Sequence, residues 1–202
     1  MSKGAPLILA SASAARRAML SNAGVNFQIV SSGIDEVKLK EVLINLAAPV
    51  PETVAKGLAL AKASEVSNRN PEAYVIGSDQ ILALGHDILS KASDAQGARR
   101  TLHKLRGKTH SLHSAVSLMQ GGALLWNHVE SAHLTMRKFS DIWLEHYLDT
   151  AGDALTASVG AYHLEGIGVQ LFEKIEGDYF TTLGMPLLPL LRELRRREVL
   201  AA

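Results

Sequence analysis

Apolar residues along this chain gather in short runs of two kinds. Leu7–Ala10 is uninterrupted and reads as a buried strand, and the spacing that follows predicts a helix over Ala15–Ala23, stopped by Gly24. Phe27–Val30 is a second short strand, leading into Ser31-Ser32-Gly33-Ile34-Asp35-Glu36, a loop that ends in adjacent carboxylates. Around Pro49 and Pro51 the pattern predicts a loop, and from Glu52 an Ala/Leu-rich helix. In that helix Val54, Leu58, Ala61 and Ala63 share one face, with Lys56 and Lys62 elsewhere. Ala73–Ile76 is a strongly apolar strand. Gly77-Ser78-Asp79-Gln80 reads as a turn breaking it, before Ile81–Leu84 resumes and Gly85-His86-Asp87 turns again.

The second half continues in the same mixed style. Ser93-Asp94-Ala95-Gln96 opens a helix expected to run to about Leu105, with Gly107 past its end. His110–Met119 and Ala123–Leu134 alternate as a hairpin turned at Gly121-Gly122. Ser140–Thr150 is helical, with Ser140 as N-cap and Gly152 beyond it. Gly160, Gly166 and Gly168 punctuate a loop before a strand over Val169–Phe172, and Leu187–Leu200 forms a last helix. Strands, a hairpin and helices in this order predict an α/β or α+β sheet with helices on its faces.

Composition narrows the function classes. The chain has 202 residues, enough for one sizeable core, read as a single domain over 1–202 or two intimate lobes. With 21 basic and 20 acidic residues the net charge is +1, so any anion binding must be local, and a nucleic-acid partner is not expected. Arg195-Arg196-Arg197, beside Glu193 and Glu198, reads as a solvated helix end. There is no cysteine, which removes disulfides and thiol chemistry and suits a reducing cytosol. No apolar run approaches the ~20 residues of a membrane span. The opening residues lack the apolar core of a secretory signal, so a cytoplasmic protein without a membrane partner is expected.

The candidate chemistry is anionic and phosphate-directed. Ser11-Ala12-Ser13-Ala14-Ala15-Arg16-Arg17 joins a strand to a helix. Such a turn presents unpaired N–H groups at the positive helix end, here with two hydroxyls and two guanidinium groups. Asp79, past a buried strand, is either a catalytic carboxylate or the cap of a turn. Asp35 and Glu36 are either a solvated acidic turn or oxygen ligands for a hard cation. Lys62 and Lys91 could reach phosphate or simply solvate the surface. His110 and His113, three apart in a strand, point to opposite faces and do not make a zinc pair. His103, His128, His133 and His146 show no ligand spacing, and no HExxH, Walker A or GxGxxG motif is present.

Taken in order, these segments resemble the Maf nucleotide pyrophosphatases along nearly the whole chain. Leu9-Ala10-Ser11-Ala12-Ser13-Ala14-Ala15-Arg16-Arg17 is similar to that family's opening Leu-Ala-Ser-x-Ser-Pro-x-Arg-Arg. Asp35-Glu36, Leu58-Ala59-Leu60-Ala61-Lys62-Ala63, Gly77-Ser78-Asp79-Gln80, Lys91 and Leu105-Arg106-Gly107-Lys108-Thr109-His110 follow in the family's order. Gly160–Gly166, Ile175–Tyr179 and Leu183–Leu187 complete it. The resemblance implies a mixed elongated sheet flanked by helices, with two lobes around a cleft, similar to inosine-triphosphate pyrophosphatases. It implies hydrolysis of a nucleoside triphosphate to monophosphate and pyrophosphate with Mg²⁺ or Mn²⁺, in a cytoplasmic homodimer. Asp79 then matches the proton acceptor, and Glu36 with Asp79 the metal ligands. Ser11, Ser13, Arg16, Lys62 and Lys91 match the phosphate-binding groups.

Three positions distinguish branches of that family. One branch, acting on dTTP and UTP, carries Arg, Thr and Gln; another, acting on 7-methyl-GTP, carries Trp, Gln and Glu. Here they are Ala15, Gln80 and Glu165, two of three resembling the 7-methyl-GTP branch. A carboxylate at 165 can accept from guanine N–H groups and offset a cationic ring, whereas Ala15 offers no stacking face and fits neither branch. Ala14 replaces the family proline and leaves the loop less pre-set. The expected activity is a pyrophosphatase for modified nucleotides such as 7-methyl-GTP. The alternatives are a dTTP/UTP pyrophosphatase and a nucleotide-binding regulator of cell division with little turnover.

Overall fold

The structure is a computed structural model that describes residues 5–46 and 50–201; the loop expected at Pro49 lies outside them. In chain order the elements are β1 (Leu7–Leu9), α1 (Ala14–Asn22), β2 (Gln28–Ile29), α2 (Glu36–Asn45), α3 (Pro51–Arg69) and β3 (Tyr74–Leu84). Next come β4 (Asp87–Leu89), α4 (Ala95–Leu105), β5 (Thr109–Gln120), β6 (Ala123–Met136), α5 (Asp141–Thr150) and α6 (Ala154–Ala157). A 3-10 turn (Ile167–Leu171), β7 (Phe172–Glu176), α7 (Tyr179–Thr182) and α8 (Leu187–Arg196) complete the described chain. The strands form one mixed sheet in the order β2-β1-β3-β5-β6-β7, with β4 paired to β3. Pairs β1–β2 and β1–β3 are parallel, whereas β3–β4 and β6–β7 are antiparallel.

The chain divides into two compact units. Unit 1 comprises residues 1–80, 113–130 and 178–202; unit 2 comprises 81–112 and 131–177. In unit 1, β1 and the first half of β3 are buried on both sides, which explains why Leu7–Ala10 and Ala73–Ile76 show no alternation. Ile8 and Val75 pack with Ala63 and Val66 of α3. Leu9 and Ile76 pack with Leu20 of α1 and Leu190 and Leu194 of α8. In unit 2 a second core joins Leu82, Leu102, Leu105, Leu134, Leu144 and Tyr147.

Several expectations hold. Ser140 caps α5 with its side chain, and the hairpin turns at Gly121-Gly122, both with positive φ. Ser13 and Asp94 cap α1 and α4 in the same way. Arg195 and Arg196 are exposed at the end of α8, as expected, and Arg196 and Arg197 also pair with the buried Glu193.

Four readings change. The expected turn at Gly77–Gln80 is the middle of one continuous strand, β3. Gly77 is there because β3 presses against α3: a Cβ at that position would stand 2.2 Å from the Ala59 carbonyl oxygen and 2.7 Å from the Ala63 nitrogen. The loop expected to end in carboxylates instead launches α2, with Asp35 as N-cap and Glu36 as its first residue. The strand expected over Val169–Phe172 is mostly the 3-10 turn, and extended structure begins only at Phe172. Pro51 begins α3 rather than lying in a loop, as suits a residue without an N–H to satisfy.

Candidate functional site

The alternation of β3 distributes the residues of unit 1 that carry chemistry. Asp79 projects to the same face as Val75 and Gly77, toward α3; Ser78 and Gln80 project to the other face, with Ile76. Because Gly77 lets α3 approach, Lys62 on that helix reaches Asp79: Nζ donates to Oδ1 over 2.7 Å, both groups nearly withdrawn from water. The same Nζ stands 2.8 Å from Oε2 of Glu36, at the N-terminus of α2. One ammonium thus spans two carboxylates from two different elements.

Sequence reasoning had placed Lys62 away from the packed face of α3. The structure corrects that. The buried set includes Val54, Ala55, Leu58, Ala59, Lys62, Ala63 and Val66, so Lys62 lies in the middle of the apolar stripe. The spacing 55, 58/59, 62, 66 already carried this signal, and a lysine on such a stripe must find a partner.

The opening turn is the second component. Ser13 Oγ accepts from the Arg16 N–H at 3.4 Å, and Ser11 Oγ accepts from the Ser13 N–H at 3.2 Å and from Arg16 Nη1 at 3.4 Å. Arg16 is buried and its Nε donates to the Gly184 carbonyl over 2.9 Å. Burial pulls its guanidinium below the ordinary range, while the charges of Asp79 and Glu36 oppose that shift. No acid lies in the first turn of α1, so no carboxylate of the helix itself balances Arg16 and Arg17 at its positive end. A helix start built this way favours an anion.

The other face of β3 grips α7 and the residues just after it. Gln80 Nε2 lies 3.0 Å from Ser114 Oγ and 3.2 and 3.1 Å from the carbonyls of Thr181 and Thr182. Ser114 Oγ donates to Thr181 O at 2.7 Å, and Ser78 Oγ reaches Gly184 O at 3.2 Å. Gly184, with φ +111°, turns its carbonyl back toward Arg16 and Ser78. The two N–H groups of the Gln80 amide are therefore occupied within the protein, and the residue acts on the loop that orients Arg16.

Lys40 was missed. It lies four residues after Glu36 on α2, hence on the same helix face, and is half-buried. Burial lowers its ammonium, with the Asp79 charge opposing. Once the helix is recognised, that spacing is a readable signal; read as a loop, it was invisible. The structure thus brings together Ser11, Ser13, Arg16, Glu36, Lys62, Asp79 and Gln80 in unit 1, with Ala15 half-buried on the first turn of α1. Lys91 and Glu165 are exposed residues of unit 2.

Two carboxylates are the right chemistry for a hard divalent ion of the Mg²⁺ type, which binds through one or two protein carboxylates and takes its other oxygens from water and phosphate. Among the described residues no group of three or more His, Asp or Glu side chains could hold a metal by itself. His110 and His113 serve separate partners: Tyr162 at 2.7 Å and Glu52 at 3.2 Å. Among the described residues no helix is long and apolar enough to cross a membrane.

Known proteins resemble this chain closely. The sequence pattern of the family described as Maf-like protein matches residues 6–197. A protein of Brucella abortus named 7-methyl-GTP pyrophosphatase is 52% identical over 192 residues, covering 95% of this chain and 96% of its own. One from Granulibacter bethesdensis named nucleoside triphosphate pyrophosphatase is 48% identical over 194 residues, covering 96% and 98%. Among solved structures, a dITP/XTP pyrophosphatase from Mycobacterium abscessus is 16% identical with a TM-score of 0.40, covering 96% of this chain and 95% of its own, a likeness too slight to bear on function.

Proposed function

Since the chain belongs to the Maf-like protein family, we propose that it hydrolyses the α–β phosphoanhydride of a nucleoside triphosphate, giving monophosphate and pyrophosphate. The observation that carries this reading is the Glu36–Lys62–Asp79 cluster, with Lys62 Nζ within 2.8 Å of both carboxylates. A protein that only bound nucleotide would have no use for two converging carboxylates in an otherwise cationic, phosphate-directed site.

The residues divide the work. Asp79 accepts the proton of the water that attacks the α-phosphorus. Arg16, the Ser11 and Ser13 hydroxyls and the N-terminus of α1 hold phosphate oxygens. Lys62 neutralises charge on the triphosphate, and Lys91 is assigned to the leaving pyrophosphate through its match to the family motif. Glu36 and Asp79 would hold Mg²⁺ or Mn²⁺. Such an ion supplies charge neutralisation and makes a nearby water easier to deprotonate. Positioning and electrostatics then account for most of the acceleration, as phosphoryl transfer demands.

For the base, the reading is 7-methyl-GTP or a similar modified nucleotide. Gln80 and Glu165 match the 7-methyl-GTP branch, and relatives at about half identity bear that name. Glu165 accepts from the guanine edge and offsets the methylated ring. Ala15 leaves stacking to another group.

The test is a panel containing 7-methyl-GTP, GTP, UTP and dTTP, assayed for pyrophosphate with Mg²⁺, for wild type and Asp79→Asn. Loss of the base is expected to slow turnover about 10²- to 10⁴-fold, with 7-methyl-GTP the best wild-type substrate. No pyrophosphate from any nucleotide, or undiminished release by the variant, refutes the catalytic assignment; a preference for UTP or dTTP refutes the choice of base.

A further inference from the structure

We infer that Lys62 is the site's own counter-ion and competes with the divalent metal for the same pair of carboxylates, so that metal binds tightly only together with nucleotide. This rests on the reading above that Glu36 and Asp79 are metal ligands.

The geometry is specific. Lys62 Nζ lies 2.7 Å from Asp79 Oδ1 and 2.8 Å from Glu36 Oε2. Mg²⁺ would take the same two carboxylates as ligands, so the ammonium and the ion would draw on one pair of negative charges. Two cations held on that pair would repel each other, with little screening by water beside Lys62 and Asp79, whose side chains are 6% and 11% exposed, and more beside Glu36, at 55%. The carboxylates alone, in turn, would repel each other. Lys62 therefore holds them in register, and a metal must displace it.

Nucleotide changes the balance twice. A triphosphate brings oxygens that complete a coordination sphere the protein leaves short, since no third His, Asp or Glu joins the pair among the described residues. It also offers the ammonium a new partner. Lysine suits this move, because its charge rides on a flexible four-carbon stem. Metal and nucleotide then bind with positive coupling, and linkage makes the coupling reciprocal.

The experiment measures Mn²⁺ binding by electron paramagnetic resonance, with and without a non-hydrolysable α,β-methylene nucleoside triphosphate, against the analogue alone. Wild type is expected to bind Mn²⁺ roughly ten-fold or more tightly with the analogue than without it. Lys62→Met is expected to bind Mn²⁺ more tightly than wild type when nucleotide is absent, and to lose most of the coupling. Lys62→Gln, which keeps hydrogen-bonding capacity without charge, should behave likewise and guards against a misfolded Met variant. Mn²⁺ bound by wild type equally tightly in both conditions overturns the competition while leaving the metal reading intact. Mn²⁺ bound in neither condition removes the metal reading and this inference with it.

Discussion

Asp79 in unit 1 and His110 in unit 2 are both polar side chains withdrawn from water, at 8% and 1% exposure, and the protein treats them in opposite ways. Asp79 keeps a full counter-charge at 2.7 Å, and a second carboxylate is tied to the same ammonium. His110 has no charged partner: its Nε2 meets the Tyr162 hydroxyl at 2.7 Å, Nδ1 has no hydrogen-bond partner among the described residues, and Phe172 and Tyr162 lie against the ring. Burial pushes the imidazole down to about 4 and the Tyr162 phenol up, so both stay neutral. A buried charge kept alive by a movable partner can do chemistry. A buried group kept neutral by apolar packing serves the core. Depth alone does not separate the two; the kind of partner does.

That contrast can be broken most severely at Gly77. Any Cβ there meets the α3 backbone at 2.2 Å, and a helix backbone cannot yield as a flexible side chain would. Gly77→Ala is expected to cost about 3 kcal/mol by overpacking, and to slow turnover even where the protein remains folded, because α3 carries Lys62. Urea denaturation beside the pyrophosphate assay checks both.

The next effect concerns pH. The His110 imidazole titrates near 4 in the folded protein, below the ~6.5 of an unfolded chain. Between those values the unfolded state binds more protons, so stability rises with pH through this window and is lost as pH falls from about 6.5 to about 4. Lowering the pH from about 7 to about 5 is expected to remove roughly 2 kcal/mol through this one group. Urea titrations should show a shallower pH dependence for His110→Gln; an unchanged slope would mean that the acid sensitivity lies elsewhere.

The smallest effect is at Tyr147, whose hydroxyl donates to the Ala161 carbonyl over 2.9 Å within the core of unit 2. Tyr147→Phe is expected to cost about 1 kcal/mol without altering nucleotide turnover. A change in the ranking of nucleotides would show that this core is not merely structural.

Much was legible in the chain, and what was misread has identifiable causes. The cap at Ser140 and the hairpin at Gly121-Gly122 are local chemistry, in which a hydroxyl or a glycine acts on its own neighbours. The errors arose where a distant element overruled local signals or where the local pattern was weak. Gly77-Ser78-Asp79-Gln80 has the composition of a turn, but β3 passes straight through it because Gly77 is needed for α3 to approach. Asp35-Glu36 looked like a loop end because α2 buries none of its side chains and so lacks a clear apolar stripe. Missing α2 meant missing Lys40.

The sequence by itself determined the inventory: which hydroxyls, carboxylates and cations were available, their order along the chain, and through that order the family resemblance. Motifs are strings of neighbours, and a string can be read without knowing where it folds. Only the tertiary structure decided that Lys62 spans Glu36 and Asp79, that Gln80 spends its amide on the α7 carbonyls, and that Arg16 is fastened to Gly184. Those partners come from separate elements, up to 168 residues apart in the case of Arg16 and Gly184. Period-two alternation on β3 and the burial of a lysine on α3 bring them within hydrogen-bonding distance, and no local propensity encodes that meeting.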